Sequence, residues 1–252
     1  YWLEEKGIDG AYLPLAVRPE ALEAALGALL ALGFRGCNLT APHKEAALVH
    51  MDSLSETARR IGAVNTVTVT GDGALHGDNT DGFGFISHLR QEVPGWEPVS
   101  PVAVLGAGGA ARAVVDALSA AGVPEIRLLN RSGERATALA EGVGETVCPL
   151  PWGERAAALD GCSLLVNTTQ LGQAGKPALD LALGRLPAEA VVYDLVYAPL
   201  ETELLKAARA RGHAGVDGLG MLIHQARPGF AAWFGAEAEA TAALRTFAAE
   251  GL

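Results

Sequence analysis

The sequence predicts an α/β protein of two domains. Three observations point there. Apolar runs of strand length alternate with stretches of helical periodicity along 252 residues, a length that suits two modest domains. The segment Glu92-Val93-Pro94-Gly95-Trp96-Glu97-Pro98-Val99-Ser100-Pro101 is too rich in proline and glycine to continue a helix or a central strand. Directly after it, Val102-Ala103-Val104-Leu105 runs into Gly106-Ala107-Gly108-Gly109-Ala110-Ala111, a short buried strand, a glycine turn and the start of a helix. The expected division is residues 1–91, a linker at 92–101, and a second domain at 102–235, with closing helices at 236–252 returning to the first domain.

In the first domain, Ala11 to Val17 reads as a strand. Pro19 suits the first position of a helix whose Leu22, Leu26, Leu29 and Leu30 share one face, and Gly33 closes it. An apolar strand ending at Leu39, a short helix from Pro42 to His50 and another helix from Ser53 follow. Val64 to Thr70 should pair with Ala74 to Asp78 across Gly71-Asp72-Gly73. In the second domain, Ala110 to Ala121 is helical until Gly122 stops it, and Glu125 to Leu129 is the next strand. Leu164 to Val166, Val191 to Leu195 and Gly215-Val216 are further strands. Leu219 to Phe234 and Glu237 to Ala249 close the chain as helices. Both sheets are expected to be open and mainly parallel.

Composition narrows the function classes. Half the residues are hydrophobic, so a soluble globular protein with an ample core is expected. A net charge of −10 argues against a nucleic-acid partner. Cys37, Cys148 and Cys162 are odd in number and form no C-x-x-C pair, and the six histidines show no metal spacing. Free thiols in a reducing, cytoplasmic setting are the expectation. The most apolar run, Ala24 to Phe34, is interrupted by Gly27 and Gly33 and is too short for a membrane span.

The glycine turn carries the first functional signal. Gly106 permits the tight turn, Gly108 lets a pyrophosphate approach the backbone, and Ala111 is the small residue where helix meets strand. The helix opening at Gly109-Ala110 aims free N–H groups and a positive dipole end at phosphate. A site for NAD would end its second strand in Asp or Glu, to hold the ribose 2′-hydroxyl. Here the strand ends in Asn130-Arg131-Ser132, with Arg135 following. Guanidinium groups can bind a 2′-phosphate that a carboxylate would repel, so NADP is the expected cofactor. Two bland alternatives stand beside this: glycine strings arise by chance in turns, and Arg131 and Arg135 would serve equally as solvated surface arginines.

Nicotinamide cofactors move hydride, so an acid/base must handle the companion proton. The first domain offers polar residues at strand ends: Asn38, Thr40 and Lys44, then Asn65, then Asp81. Ligand-binding groups gather there in open α/β sheets. Taken singly, Asn79-Thr80-Asp81 is also a plausible helix cap and Lys44 an ordinary solvated lysine.

Taken in order, these segments resemble the shikimate dehydrogenase family. The set is Asn38-x-Thr40-x-Pro42-x-Lys44, Gly62-Ala63-Val64-Asn65-Thr66, Gly77-Asp78-Asn79-Thr80-Asp81-Gly82, the 106–110 turn with Asn130-Arg131, and Gly218-Leu219-Gly220-Met221-Leu222 with Gln225. Each motif is modest, but the ordered combination spans essentially the whole chain and is specific. The resemblance implies an N-terminal α/β substrate domain, a C-terminal Rossmann-like dinucleotide-binding domain, an active site in the cleft between them, and reversible NADPH-dependent reduction of 3-dehydroshikimate to shikimate. It makes Lys44 and Asp81 the catalytic pair, with Thr40, Asn65, Asp81, Tyr197 and Gln225 binding the substrate. Asn38 matches the family motif as well, where it would shape the strand end. Around the cofactor it places Gly106, Ala107, Gly108, Gly109, Ala110, Asn130, Arg131, Ser132, Arg135, Thr168, Leu195, Gly218 and Met221, together with Glu56. The family's Ser-x-Ser, which binds the substrate carboxylate, would lie just upstream of Tyr1, so the sequence is expected to belong to a longer chain. Two other readings remain: a quinate/shikimate dehydrogenase using NAD, and a catalytically weak NADP-binding sensor. A small-molecule substrate and either a monomer or a homodimer are expected.

Overall fold

The computed structural model describes residues 1–252. The N-terminal part contains helix α1 (Trp2–Glu5), helix α2 (Leu22–Ala28), strand β1 (Gly36–Asn38), helix α3 (His43–Ala46), strand β2 (Ser53–Leu54), helix α4 (Glu56–Ile61) and strands β3 (Thr66–Val69) and β4 (Leu75–Asp78). Helix α5 (Asp81–Glu92) leads to the second part. That part comprises β5 (Val102–Leu105), α6 (Gly109–Ala120), β6 (Ile126–Asn130), α7 (Gly133–Val143), β7 (Val147–Pro151), β8 (Leu164–Asn167), β9 (Val191–Asp194), α8 (Glu203–Ala210) and β10 (Ala214–Val216). Helices α9 (Leu219–Phe234) and α10 (Ala242–Glu250) end the chain.

The second sheet is six-stranded and wholly parallel, in the order β10-β9-β8-β5-β6-β7. Its central strands β5, β8 and β9 are buried along their whole length, as the middle of a parallel sheet covered on both faces requires. Val102 and Val104 pack on one side with Val114, Val115 and Leu118 of α6. Ala103 and Leu105 pack on the other with Leu204 and Leu205 of α8. The chain winds outward from β5 to β7 and then returns to β8 beside β5, so the strand order reverses between β5 and β8. A ligand crevice belongs at the C-terminal ends of those two strands.

The first sheet departs from expectation. Its order is β1-β3-β4-β2, and only β2–β4 is parallel, so it is mainly antiparallel. The hairpin of β3 and β4 forms as the Gly71-Asp72-Gly73 turn predicts, and it is this turn that sets the antiparallel pairing. Ala11 to Val17 is not a strand, because no ladder partner lies beside it. Ser53-Leu54 joins the sheet, and the following helix starts at Glu56, where the Ser55 hydroxyl accepts from the Ala58 N–H at 3.0 Å. Leu22, Leu26 and Leu29 are buried, but α2 ends at Ala28 and leaves Leu30 exposed.

Two further differences concern boundaries. Strand β7 escapes the sequence because Pro149 and Pro151 mark it as irregular, yet it lies at the sheet edge, where proline is tolerated. The return to the first domain begins at Leu219, not at residue 236. Helix α9 packs on α5 and β3, and the Trp233 indole donates to the Val67 carbonyl at 2.9 Å. A helix lying on both elements belongs with them, so the cofactor-side unit ends near Gly218.

No helix is long and apolar enough to cross a membrane. Cys37, Cys148 and Cys162 are free thiols.

Candidate active site in the interdomain cleft

A cavity of about 580 Å³ opens where the two units meet. From the first unit, Thr40, Lys44 and Asp81 line it; from the second, Ala110, Thr168, Leu195, Tyr197 and Gly218; from α9, Met221 and Gln225. These expected site residues, spread along the chain from Thr40 to Gln225, are thus brought together at the crevice where the strand order reverses.

Lys44 and Asp81 form the polar centre. Asp81 opens α5, and its Oδ2 accepts from Lys44 Nζ at 2.6 Å. The Lys44 side chain keeps 22% of its exposure and Asp81 only 8%, so the ammonium reaches the cavity while the carboxylate is held back. Asn65 donates to Asp81 Oδ1 at 2.7 Å and accepts from the Thr80 N–H at 2.9 Å. At 1% exposure Asn65 stands behind Asp81 and does not line the cavity. Its side chain also reaches Gln225 Oε1 at 3.2 Å, while Thr80 Oγ1 donates to the Gln225 carbonyl at 2.8 Å. Helix α9 is thereby tied to the carboxylate's own support. One oxygen fixed by an amide and the other by an ammonium leave that ammonium oriented toward the cavity, suited to giving or taking a proton.

Several lining residues carry no motif. Tyr12 donates through its hydroxyl to Asn38 Oδ1 at 2.8 Å, and burial pushes its pKa up. Gln170 and Gln173 come from the coil after β8. Glutamines in a coil and a tyrosine in an irregular segment have no periodicity to betray them, although the run of polar side chains after Asn167 was a usable hint.

The second unit provides a phosphate cradle. Gly106 has φ +112°, and a Cβ there would lie 2.4 Å from Thr168 Oγ1, so only glycine fits. Gly108 and Gly109 face open space, and no side chain caps the N-terminus of α6. Free N–H groups and an unobstructed backbone together suit a pyrophosphate. At the end of β6, Asn130 donates to the Ser132 carbonyl at 2.9 Å, and the Ser132 hydroxyl caps α7 by accepting from the Arg135 N–H at 3.4 Å. Arg131 and Arg135 are exposed there and enter no salt bridge. These residues fit a phosphorylated dinucleotide. Ala107 is buried under the turn. Glu56 is exposed on the first turn of α4 and is not among the lining residues.

Comparison with known proteins follows this geometry. Residues 1–67 match the model of the shikimate dehydrogenase substrate binding domain, and residues 95–171 that of shikimate / quinate 5-dehydrogenase. A shikimate dehydrogenase (NADP(+)) of Paramagnetospirillum magneticum is 60% identical over 98% of this chain and 90% of its own length. The chain belongs to the shikimate dehydrogenase family. Among solved structures, the Thermus thermophilus shikimate 5-dehydrogenase in complex with NADP(H) and shikimate is 40% identical, with a TM-score of 0.86 over 99% of this chain and 90% of that one. The quinate dehydrogenase of Corynebacterium glutamicum, in complex with NAD, is 36% identical, with a TM-score of 0.82 over 91% of this chain and 81% of that one. The two solved structures hold different cofactors, NADP(H) in the first and NAD in the second.

Proposed function

We propose that this protein is an NADP-dependent shikimate dehydrogenase, an oxidoreductase of aromatic amino acid biosynthesis that reduces 3-dehydroshikimate to shikimate reversibly. The observation that carries this reading is the single cavity in which the Lys44–Asp81 pair faces Ala110, Leu195, Gly218 and Met221. A dinucleotide held here would supply hydride for the substrate's C3. The chain's residues do the rest. The Gly106–Ala110 turn and the α6 N-terminus hold the pyrophosphate, and Asn130, Arg131, Ser132 and Arg135 hold the ribose 2′-phosphate. Leu195, Gly218 and Met221 shape the nicotinamide side of the cavity.

As C3 changes from carbonyl to alcohol, its oxygen gains negative charge and needs a proton. Lys44 gives that proton from Nζ and regains one from solvent; in the oxidation direction it takes the proton from the hydroxyl. Asp81 keeps the ammonium in place and accepts a hydrogen bond from a substrate hydroxyl. Thr40, Tyr197 and Gln225 pair with the remaining hydroxyls, since a polar group left unpaired in a closed cleft is costly. Asn65 acts by holding Asp81.

The test is a cofactor oxidation assay with 3-dehydroshikimate, and its reverse with shikimate and with quinate. Turnover of 3-dehydroshikimate with NADPH is expected. Faster turnover of quinate with NAD would assign the chain to the quinate branch instead. The lack of an acidic residue at 130–132 disfavours that branch.

A further inference from the structure

The wall of the cavity on the second unit is made of two strand-end loops, 168–173 after β8 and 195–198 after β9. Beneath them lies a buried polar set that the reaction does not use. Asn167 and Asp194 are register partners at the ends of β8 and β9, and both have no solvent exposure. Asn167 Nδ2 donates to Asp194 Oδ1 at 2.9 Å, and Thr202, 2% exposed, donates to Asp194 Oδ2 at 2.7 Å. The backbone of each loop is caught by the same atoms. Asp194 Oδ1 accepts from the Val196 N–H at 3.1 Å. Asn167 Oδ1 accepts from the Thr169 N–H at 3.1 Å and from its hydroxyl at 2.7 Å. Thr202 Oγ1 also accepts from the Leu205 N–H at 3.3 Å, capping α8.

Asp194 has no cationic partner, so neutral donors alone offset its loss of water. A well-packed apolar trio would hold the sheet as well or better. What it would not do is fix the direction of two irregular loops at once, which directional hydrogen bonds achieve.

We propose that Asn167, Asp194 and Thr202 are positioning residues for the reaction: they lock the two loops whose side chains set how the hydride donor faces Lys44. The inference rests on the dehydrogenase reading for its kinetic part, whereas the locking is a property of the chain without ligand. The set acts through Thr168, Thr169, Leu195 and Tyr197 and touches nothing that reacts.

The experiment compares the wild type with Thr202→Val, which keeps the shape and loses the donor, and Thr202→Ser, which keeps the donor. Hydrogen exchange is followed peptide by peptide without ligand, NADPH affinity by fluorescence titration, and kcat by cofactor oxidation. In Thr202→Val, exchange in 168–173 and 195–198 is expected to rise about tenfold while β5 and β6 keep their rates. NADPH is expected to bind roughly fivefold more weakly, and kcat to fall about tenfold or more, as misplacement by a fraction of an ångström does. Thr202→Ser should restore all three. Faster exchange confined to α8, with NADPH affinity and kcat unchanged, would show a helix cap only and overturn the proposal. Should Thr202→Val unfold globally, Thr169→Val removes a loop-side anchor and is read the same way; unaltered loop exchange there overturns it equally. A wild type that fails to turn over 3-dehydroshikimate would sink the functional reading but leave the exchange result standing.

Discussion

Lys44 and Asp81 are coupled tightly enough that removing either affects the other. Lys44→Ala takes away the proposed proton donor and leaves Asp81 without its cation. The expected result is a kcat lower by roughly 10²–10⁴ with NADPH affinity little changed. Steady-state kinetics with a parallel binding titration checks it, and near-normal kcat would remove Lys44 from the mechanism. On the cofactor side, exposed Arg131 has no competing carboxylate, so it is free for a phosphate. NADPH should be preferred over NADH by at least about tenfold in kcat/KM, about 1.4 kcal/mol, and Arg131→Asp should erase or reverse that preference. Lys44 and Arg131 stand out as candidates in the sequence because each sits in a short motif at or beside the end of an apolar run. Asn65 was legible as a site residue but not in its place. Spacing tells that a strand ends there, whereas the side chain's direction toward Asp81, away from the cavity, is decided by packing. Tyr12, Gln170 and Gln173 lie in irregular segments, where no period exists to read.

The strand-turn-helix from β5 to α6 is the element on which the cofactor side depends. Gly106→Ala introduces a Cβ 2.4 Å from Thr168 Oγ1 at φ +112°. That substitution is expected to cost about 1–3 kcal/mol of stability and to weaken NADPH binding at least tenfold, measured by urea unfolding and titration. Between α5 and α9, His88 and His224 are buried and both pKa values are pushed down to about 4, by burial first. Arg227 Nη1 lies 3.3 Å from His224 Nδ1 and further opposes its protonation. Such histidines are neutral in the native state and take up protons on unfolding below their ordinary value of about 6.5. Their contribution is therefore intact above that pH and is lost as pH falls toward 4, at up to about 1.4 kcal/mol per pH unit each. His224→Gln should flatten the fall in unfolding free energy between pH 7.5 and 5.0; an unchanged slope would contradict this. The buried strands β5, β6, β8 and β9 were readable from their apolar runs. Strand β7 was not, because its prolines interrupt the run, and in the first sheet only the β3–β4 hairpin was readable from its turn, since the β1–β3 and β2–β4 pairings are chosen by tertiary context.

Across the whole molecule, α5 and α9 pack on each other and join the two units. Gly218 and Gly220, where the chain returns, are packed too closely to serve as free hinges. A Cβ on Gly218 would meet the Leu195 carbonyl oxygen at 2.0 Å, and one on Gly220 would meet the His88 ring at 2.0 Å. Loop 93–101 is anchored as well, through Trp96 in the larger core. Motion should therefore centre on the α5–α9 contact rather than on the two crossings, with the units closing as near-rigid bodies around bound ligand. Crystals with and without ligand, superposed on residues 102–218, would reveal it, and equal cleft widths would defeat it. The proline-bearing edge strand has a consequence for how copies of the chain meet in concentrated solution. The Ile126 N–H reaches the Thr146 carbonyl, so by alternation Cys148 and Leu150 face β6 while Pro149 and Pro151 face outward. Both outward positions lack a donor, which makes that margin a poor template for a foreign strand. Replacing both prolines with threonine should leave the fold intact yet raise light scattering on prolonged storage: these residues guard colloidal behaviour rather than the reaction.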